Sequence, residues 1–297
     1  MRLAFRITGR HYAVMSARPQ HVPTSVGTAP PSSGKTARDE NFPVASLLLA
    51  PEQRPFLLAF YAFARAADDV ADAPHLTPAE KLAWLSQMEA ALDTDDPATP
   101  AGRLGSLMRT AQLDTRHARH LLQAFRQDAT KTRYRNWSDL LLYCRFSAAP
   151  VGRFVLDVHG APPSLWPLAD ALCISLQIIN HVQDCRDDFI RLNRVYLPED
   201  WMQAAGGTPD MLAEHRCPAA LRQVLDKTLA GVQDLLVTSS PLPQLAPGWR
   251  LQRELSVIQQ SAVRLTRKLA RRDPLSRAVK LSKFEQTLIL IRALLRP

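Results

Sequence analysis

Apolar residues fill Leu172, Ile174, Leu176, Ile178, Ile179 and Val182, yet one line of polar groups runs through the same stretch. Gln177, Asn180, Asp184 and Asp188 are three or four residues apart, so at helical period they share nearly one face. The pattern predicts a helix over residues 170–188 that is enclosed by protein. Polar groups on such a helix need partners, because burying one unpaired costs roughly 1–3 kcal/mol and an ionised carboxylate more. A wet, charge-holding cavity meets that need.

The device recurs earlier in the chain. Tyr61, Arg65, Asp68 and Asp72 again step by three or four residues, so a second apolar helix ends in two carboxylates one turn apart. One such pair alone is common on a solvated face. Two pairs, each continuing an internal polar stripe, can instead face each other. Magnesium takes oxygen ligands and pairs one or two carboxylates with the phosphate oxygens of a substrate, so four facing carboxylates point to a diphosphate held through Mg²⁺.

Helical periodicity continues along most of the chain. Residues 40–50, ENFPVASLLLA, read as a short apolar helix stopped by Pro51 and Pro55, and residues 56–72 as the first carboxylate helix. Thr77, Pro78 and Glu80 make a capping box with proline in the first turn, opening a helix through Leu82, Leu85, Met88 and Leu92. Residues 93–102 read as a loop. Thr115 is placed to cap a helix through Leu121, Leu122 and Phe125, with a basic exit at Lys131, Arg133 and Arg135 that is either solvated surface or a lure for diphosphate. Ser138 is placed to cap SDLLLYCRFSAAPVGRFVLDVHG, which Pro150 should kink by removing a helical hydrogen bond and crowding the turn before it. The small residues Ser147, Ala148, Ala149 and Gly152 there make room for a ligand or for a closely packed helix. Further helices fall over 218–237, 250–269 and 282–295. No alternating strand run bounded by turn residues occurs, so the fold class is all-α.

Composition narrows the partners. The 297 residues suffice for a substantial core, and no apolar run reaches the roughly 18 residues of a spanning helix. Cys144, Cys173, Cys185 and Cys217 are widely spaced and form no C-x-x-C pair, which reads as a reduced, cytoplasmic protein without structural zinc. Six of the nine net positive charges lie in residues 1–38, a stretch rich in Pro, Ser, Thr and Gly that reads as a disordered basic arm ahead of a domain over 39–297. The arm lacks the features of a secretory signal, and translation from Met15 is the plain alternative to a functional arm. The remainder carries about +3, so no nucleic-acid partner is expected.

The segments ARAADDVAD, YCRFSAAPVGR, LQIINHVQD and NRVYLP resemble those of the squalene/phytoene synthase family, head-to-head isoprenoid diphosphate synthases with one all-α domain around a central cavity. The likeness spans about residues 40–295. It implies that Asp68 and Asp72, with Asp184 and Asp188, are two magnesium-binding motifs. It also implies that Tyr61, Arg65, Gln177 and Asn180 contact diphosphate or metal. Tyr143 matches a cavity tyrosine on the kinked helix, and Arg194 and Tyr196 match a loop that closes over the diphosphate.

Within the family, ENFPVAS and YCRFSAAPVGR are most similar to the hydroxysqualene synthases of bacterial hopanoid formation, which ionise presqualene diphosphate and quench the cation with water, without NADPH. Two departures fit that branch. Glu40 and Asn41 stand where enzymes condensing two farnesyl diphosphates tend to carry Ser or Lys, and Gln183 stands where many carry Arg. Fewer phosphate-binding groups suit one diphosphate rather than two.

In this reading Tyr143 and Phe146 offer aromatic faces worth roughly 0.5–2 kcal/mol each to a cation. Ser147, Gln177 or Asn180 hold the quenching water, or else bind metal-linked water or cap the cavity wall. His181 reads as a wall histidine, with proton acceptance a remoter role. Two other functions stay open: condensation of two farnesyl or geranylgeranyl diphosphates, and a non-catalytic helical partner of an isoprenoid complex, which the intact carboxylates disfavour. Leu288 to Leu295, LILIRALL, reads as a core stripe or as a peripheral contact with the inner membrane.

Overall fold

Helices make up every regular element in the computed structural model, which describes residues 50–295; the arm and all of ENFPVASLLLA but Ala50 lie outside them. In order these are α1 (Arg54–Asp72), α2 (Pro78–Ala91), α3 (Pro100–Thr110), α4 (Arg116–Asp128), α5 (Trp137–Ser147), α6 (Ala149–Val158), α7 (Trp166–Gln183), α8 (Cys185–Leu192), α9 (Glu199–Ala204), α10 (Ala219–Ser239), α11 (Leu242–Leu245), α12 (Trp249–Leu269) and α13 (Lys283–Leu295). The all-α expectation holds among the described residues, where one isolated bridge joins Tyr134 to Pro198.

The helix α7 is the hub, packed by α5, α6, α10 and α12. Residues 174–182 are all buried, Gln177, Asn180 and His181 included. By length and composition Pro163–Gln183 would also suit a membrane crossing, but 72% of its apolar window is buried within the protein, as a core helix requires. The expected single helix over 170–188 is corrected: it begins earlier, at Trp166, and is interrupted at Asp184 (φ −103°, ψ 8°) before α8 resumes. The ladder nonetheless continues through the interruption, with Asp184 N–H donating to Asn180 O and Asp188 N–H to Asp184 O, both at 2.9 Å. The polar stripe therefore keeps its phase.

Local chemistry explains most helix starts. The capping box at Thr77 and Glu80 is present in full. Two caps differ from expectation. Asn136, not Ser138, caps α5, its Oδ1 accepting from Asp139 N–H at 2.9 Å. Thr115 holds the cap position of α4 without a side-chain bond, and Asp114 accepts the Arg116 N–H at 2.6 Å instead. Asn and Asp carry their acceptor one atom farther out, which reaches the first free N–H groups at these two turns. The loop expected over 93–102 ends sooner, because Thr99 Oγ1 accepts from Gly102 N–H at 3.0 Å and opens α3. Two glycines had masked that helix. At Gly105 a Cβ would sit 2.0 Å from the Leu92 carbonyl oxygen, so glycine is required by the close approach of α3 to the end of α2.

The kink falls where Pro150 predicts: α5 ends at Ser147, Ala148 breaks the helix (φ −127°, ψ −48°), and Pro150 stands in the first turn of α6. At Gly152 the choice between ligand room and packing is resolved in favour of packing, since a Cβ would lie 2.7 Å from Cys173 Sγ and 3.3 Å from the Ala169 carbonyl on α7. Gly152→Val is accordingly expected to lower stability by about 1–3 kcal/mol through overpacking. Urea denaturation reads this directly, and an unchanged midpoint would mean that α6 and α7 separate at no cost.

Candidate active site

The last turns of α1 present Tyr61, Arg65, Asp68 and Asp72. Arg65 Nη1 donates to Asp68 Oδ2 at 2.8 Å and Nη2 to Asp69 Oδ1 at 2.5 Å, so one guanidinium is shared between two neighbouring carboxylates. Asp68 is buried. Burial, with the Asp72 charge one turn away, pushes its carboxyl up to about 6 against the pull of Arg65. Burial works on Asp72 in the same sense, but cationic partners, Arg194 among them, bring it down to about 2.

Arg194 comes from the far end of α8 and is buried beside α1. Its Nη1 donates to Asp72 Oδ1 at 2.6 Å and its Nη2 to the Asp128 carbonyl at 2.9 Å. Local structure aims it there. Asn193 adopts the left-handed conformation (φ 49°) that ends α8, one of the few non-glycine residues suited to it. The strap that follows is pinned to the segment after α4, with Val195 N–H donating to Thr132 O and Glu199 N–H to Tyr134 O, each at 2.9 Å. Arg133 adds a bond to Asn193 Oδ1 at 2.7 Å, and Lys131 pairs with Asp139 at 2.7 Å. Those two members of the basic exit are thus occupied in fixing the strap and the start of α5.

Behind the carboxylates stands an aromatic wall. Tyr143 Oη donates to Asp128 Oδ2 at 3.1 Å and Tyr196 Oη to Oδ1 of the same carboxylate at 3.4 Å. The His181 ring stacks on Tyr196 with centroids 3.6 Å apart and planes within 12°, and its Nε2 lies 3.1 Å from Gln177 Nε2. Tyr134 stacks on Tyr196 as well, with centroids 5.5 Å apart. Burial holds the Tyr196 phenol well above its ordinary range; Asp128 adds to this, as do Asp188 from one motif and Asp72 from the other. Charges of both D-x-x-x-D motifs are therefore close enough to act on one phenol.

Of the residues predicted from sequence, Asp72, Arg194, Tyr143, Tyr196 and Asp188 are brought together, and Gln177 joins them through His181. Asn180 is buried on the same face, with no hydrogen-bond partner for its Nδ2 among the described residues. Phe146 meets His120 edge-on at 5.8 Å instead of the tyrosine group. Gln183 is tied to backbone, donating to the Val279 carbonyl at 2.5 Å. Asp128 and Tyr134 were missed. The sequence did hold a signal for Asp128, because it continues the Leu121–Phe125 stripe of α4 as a carboxylate on an apolar face.

The residues present suit a hard cation without forming a closed cage. Among the described residues no group of three or more His, Cys, Asp or Glu side chains converges for metal binding. The motifs nonetheless offer carboxylate oxygens on two helices, Asp68 and Asp72 on α1 and Asp188 on α8. An all-oxygen, incomplete set of that kind fits Mg²⁺ whose remaining positions are filled by substrate phosphates and water.

The chain is 46% identical to a hydroxysqualene synthase of Rhodopseudomonas palustris over 254 residues, covering 85% of this chain and 87% of that one. A hydroxysqualene synthase of Zymomonas mobilis is 45% identical over 256 residues, covering 85% and 86%. Among solved structures, the squalene synthase HpnC from Alicyclobacillus acidocaldarius superposes with a TM-score of 0.69 at 32% identity, over 78% of this chain and 88% of the other. The model of one family, squalene/phytoene synthase, matches residues 35–285, so the chain belongs to the squalene/phytoene synthase family.

Proposed function

We propose that this isoprenoid-synthesis enzyme converts presqualene diphosphate into hydroxysqualene and diphosphate, with Mg²⁺ and without NADPH. The observation that carries the reading is its 45–46% identity, across 85% of the chain, to relatives named for hydroxysqualene formation. The four carboxylates at Asp68, Asp72, Asp184 and Asp188 are intact.

Those four residues would hold magnesium, which when bound neutralises the leaving diphosphate and draws electrons from the breaking C–O bond. Arg65 and Arg194 supply fixed positive charge to the same leaving group, and Tyr61, one turn from Arg65, is positioned as a donor to it. Developing negative charge is what such preorganised cations stabilise best. The C30 cation left behind needs an apolar, electron-rich wall. Tyr143 and Tyr196 provide ring faces, and both phenols stay protonated at neutral pH because burial raises them. The free amide atoms Gln177 Oε1 and Asn180 Nδ2 are suited to hold one water, which adds its oxygen to the cation and sheds a proton to leave the alcohol. Water rather than hydride closes the cation, so the reaction needs no reductant. The four cysteines are free thiols, in keeping with a reducing cytoplasm.

The test is incubation of purified protein with Mg²⁺ and either presqualene or farnesyl diphosphate, without NADPH, followed by mass spectrometry of the extract. Hydroxysqualene from presqualene diphosphate is the expected product. Presqualene diphosphate, dehydrosqualene or phytoene formed from a C15 or C20 diphosphate would assign a condensing enzyme instead, and no turnover of any substrate would overturn the catalytic reading.

A further inference from the structure

The helix α13 is amphipathic the wrong way round for a surface helix. Its inward edge is narrow, with Ile289 and Ala293 the buried residues. Phe284, Leu288, Ile291 and Leu295 recur every three or four residues on the opposite face, and Leu294 widens that face. All five are exposed, Phe284 by 77% and Leu295 by 75%. At 1.5 Å per residue the stripe is about 18 Å long.

Its outward direction is fixed by ties to α12. Lys268 Nζ and Arg264 Nε donate to Glu285 at 2.6 and 2.9 Å, and Arg253 Nη1 donates to the Ala293 carbonyl at 2.8 Å. These bonds run the two helices antiparallel and hold both ends of α13. One turn before Arg253 stands Trp249, 59% exposed, with the Arg250 guanidinium 5.1 Å over its ring. An exposed indole with a cation thus lies toward the same end as Leu295.

Charge selects the occupant. From Trp249 to the last residue the chain holds twelve Lys and Arg against three Asp and Glu, a surplus equal to the net charge of the whole protein. On α13 itself, exposed Lys283 and Arg292 flank the apolar stripe on its two sides. A second copy would set another surplus of cations beside this one, with no acidic patch to meet it on α13. The N-terminal residues 1–38, with six cations and no acid, are of like charge and equally unsuited. An apolar stripe edged by Lys and Arg, with a Trp beside it, matches the headgroup region of an anionic bilayer.

We propose that α13, with Trp249, is a docking surface for anionic lipid membrane, entering it by Phe284, Leu288, Ile291 and Leu295. This goes beyond the proposed reaction and stands without it. That reading adds one reason, because an amphiphilic C30 diphosphate and its water-insoluble product are exchanged with a bilayer more readily than through water.

Flotation of the full-length protein with vesicles of phosphatidylglycerol and phosphatidylcholine tests it, with pure phosphatidylcholine vesicles as the control. Binding to the anionic vesicles is expected, weakened at high salt as the Debye length shortens. Phe284→Asp with Ile291→Asp should lower the partition coefficient by at least about tenfold, since each change places a charge where a side chain enters the bilayer. Both residues are exposed, so the far-UV spectrum and melting temperature should be unchanged. Lys283→Glu with Arg292→Glu should weaken only the anionic arm. Wild-type binding that the apolar variants retain would overturn the proposal, as would no binding at all. A dimer by light scattering that dissociates in the same variants would assign the stripe to a second copy. None of these readouts uses substrate, so the surface can fail while the proposed reaction stands.

Discussion

Asp188→Asn is expected to lower kcat by roughly 10²–10³-fold while leaving the fold intact, because the cation that would neutralise the leaving diphosphate loses an anionic ligand and with it preorganised stabilisation on that scale. Asn matches Asp in shape and can keep a hydrogen bond, so the packing of this buried position against the strap is preserved. What disappears is one negative charge of the second motif, close enough to Tyr196 to act on its phenol. Asp72→Asn should match it in size. Asp69→Asn is the informative control, because Asp69 shares Arg65 but lies outside the D-x-x-x-D spacing. It should cost about tenfold, the low end for a residue that only orients a direct ligand. Steady-state rates against Mg²⁺ concentration decide the matter: for Asp188→Asn, excess magnesium should recover part of the loss if the carboxylate holds the ion. Near-wild-type turnover in Asp188→Asn would remove the second motif from the mechanism.

Arg194→Gln should damage both stability and turnover. The guanidinium is buried and serves Asp72, the Asp128 carbonyl and, at 3.4 Å, the Ala71 carbonyl, joining α1, α4 and the strap at one point. Removing it leaves the half-buried Asp72 without its charged partner, a loss of about 1–3 kcal/mol. Urea denaturation should show a loss of that order, and turnover should fall along with it. Arg194→Lys is not expected to rescue fully, since an ammonium lacks the fork that reaches a carboxylate and two carbonyls together. A double-mutant cycle with Asp72→Asn isolates the pair. Coupling of about 0.5–3 kcal/mol is expected for groups in direct contact, and coupling near zero would mean that Arg194 acts on the leaving group independently of Asp72.

Much of the site was legible in the chain because it is written at helical spacing. Asp68 and Asp72 are neighbours on one helix whatever surrounds them, and Gln177, Asn180, Asp184 and Asp188 keep their phase even through the interruption at Asp184. The Pro150 kink was equally local. Asp128 was harder to see, since a lone carboxylate at a helix end is ordinarily solvated, and its two tyrosine partners are 15 and 68 residues away. Helix α3 was lost for the opposite reason. Its glycines lower helical propensity, and the compensation is a contact with α2 that no local pattern records.

The sequence by itself determined which side chains share a face: the two carboxylate pairs, the all-α class and the apolar stripe of α13 all follow from 3.6-residue periodicity. Only the tertiary structure decided what those faces meet. Arg194 lies 122 residues from Asp72 and reaches it because a left-handed Asn193 and a strap pinned to residues 132–135 turn it inward. The same holds at α13, where periodicity drew a stripe but the ties from Arg253, Arg264 and Lys268 turned it toward solvent rather than core. Periodicity is a property of neighbours along the chain, whereas the partner of a face is chosen by which distant surfaces can be buried together.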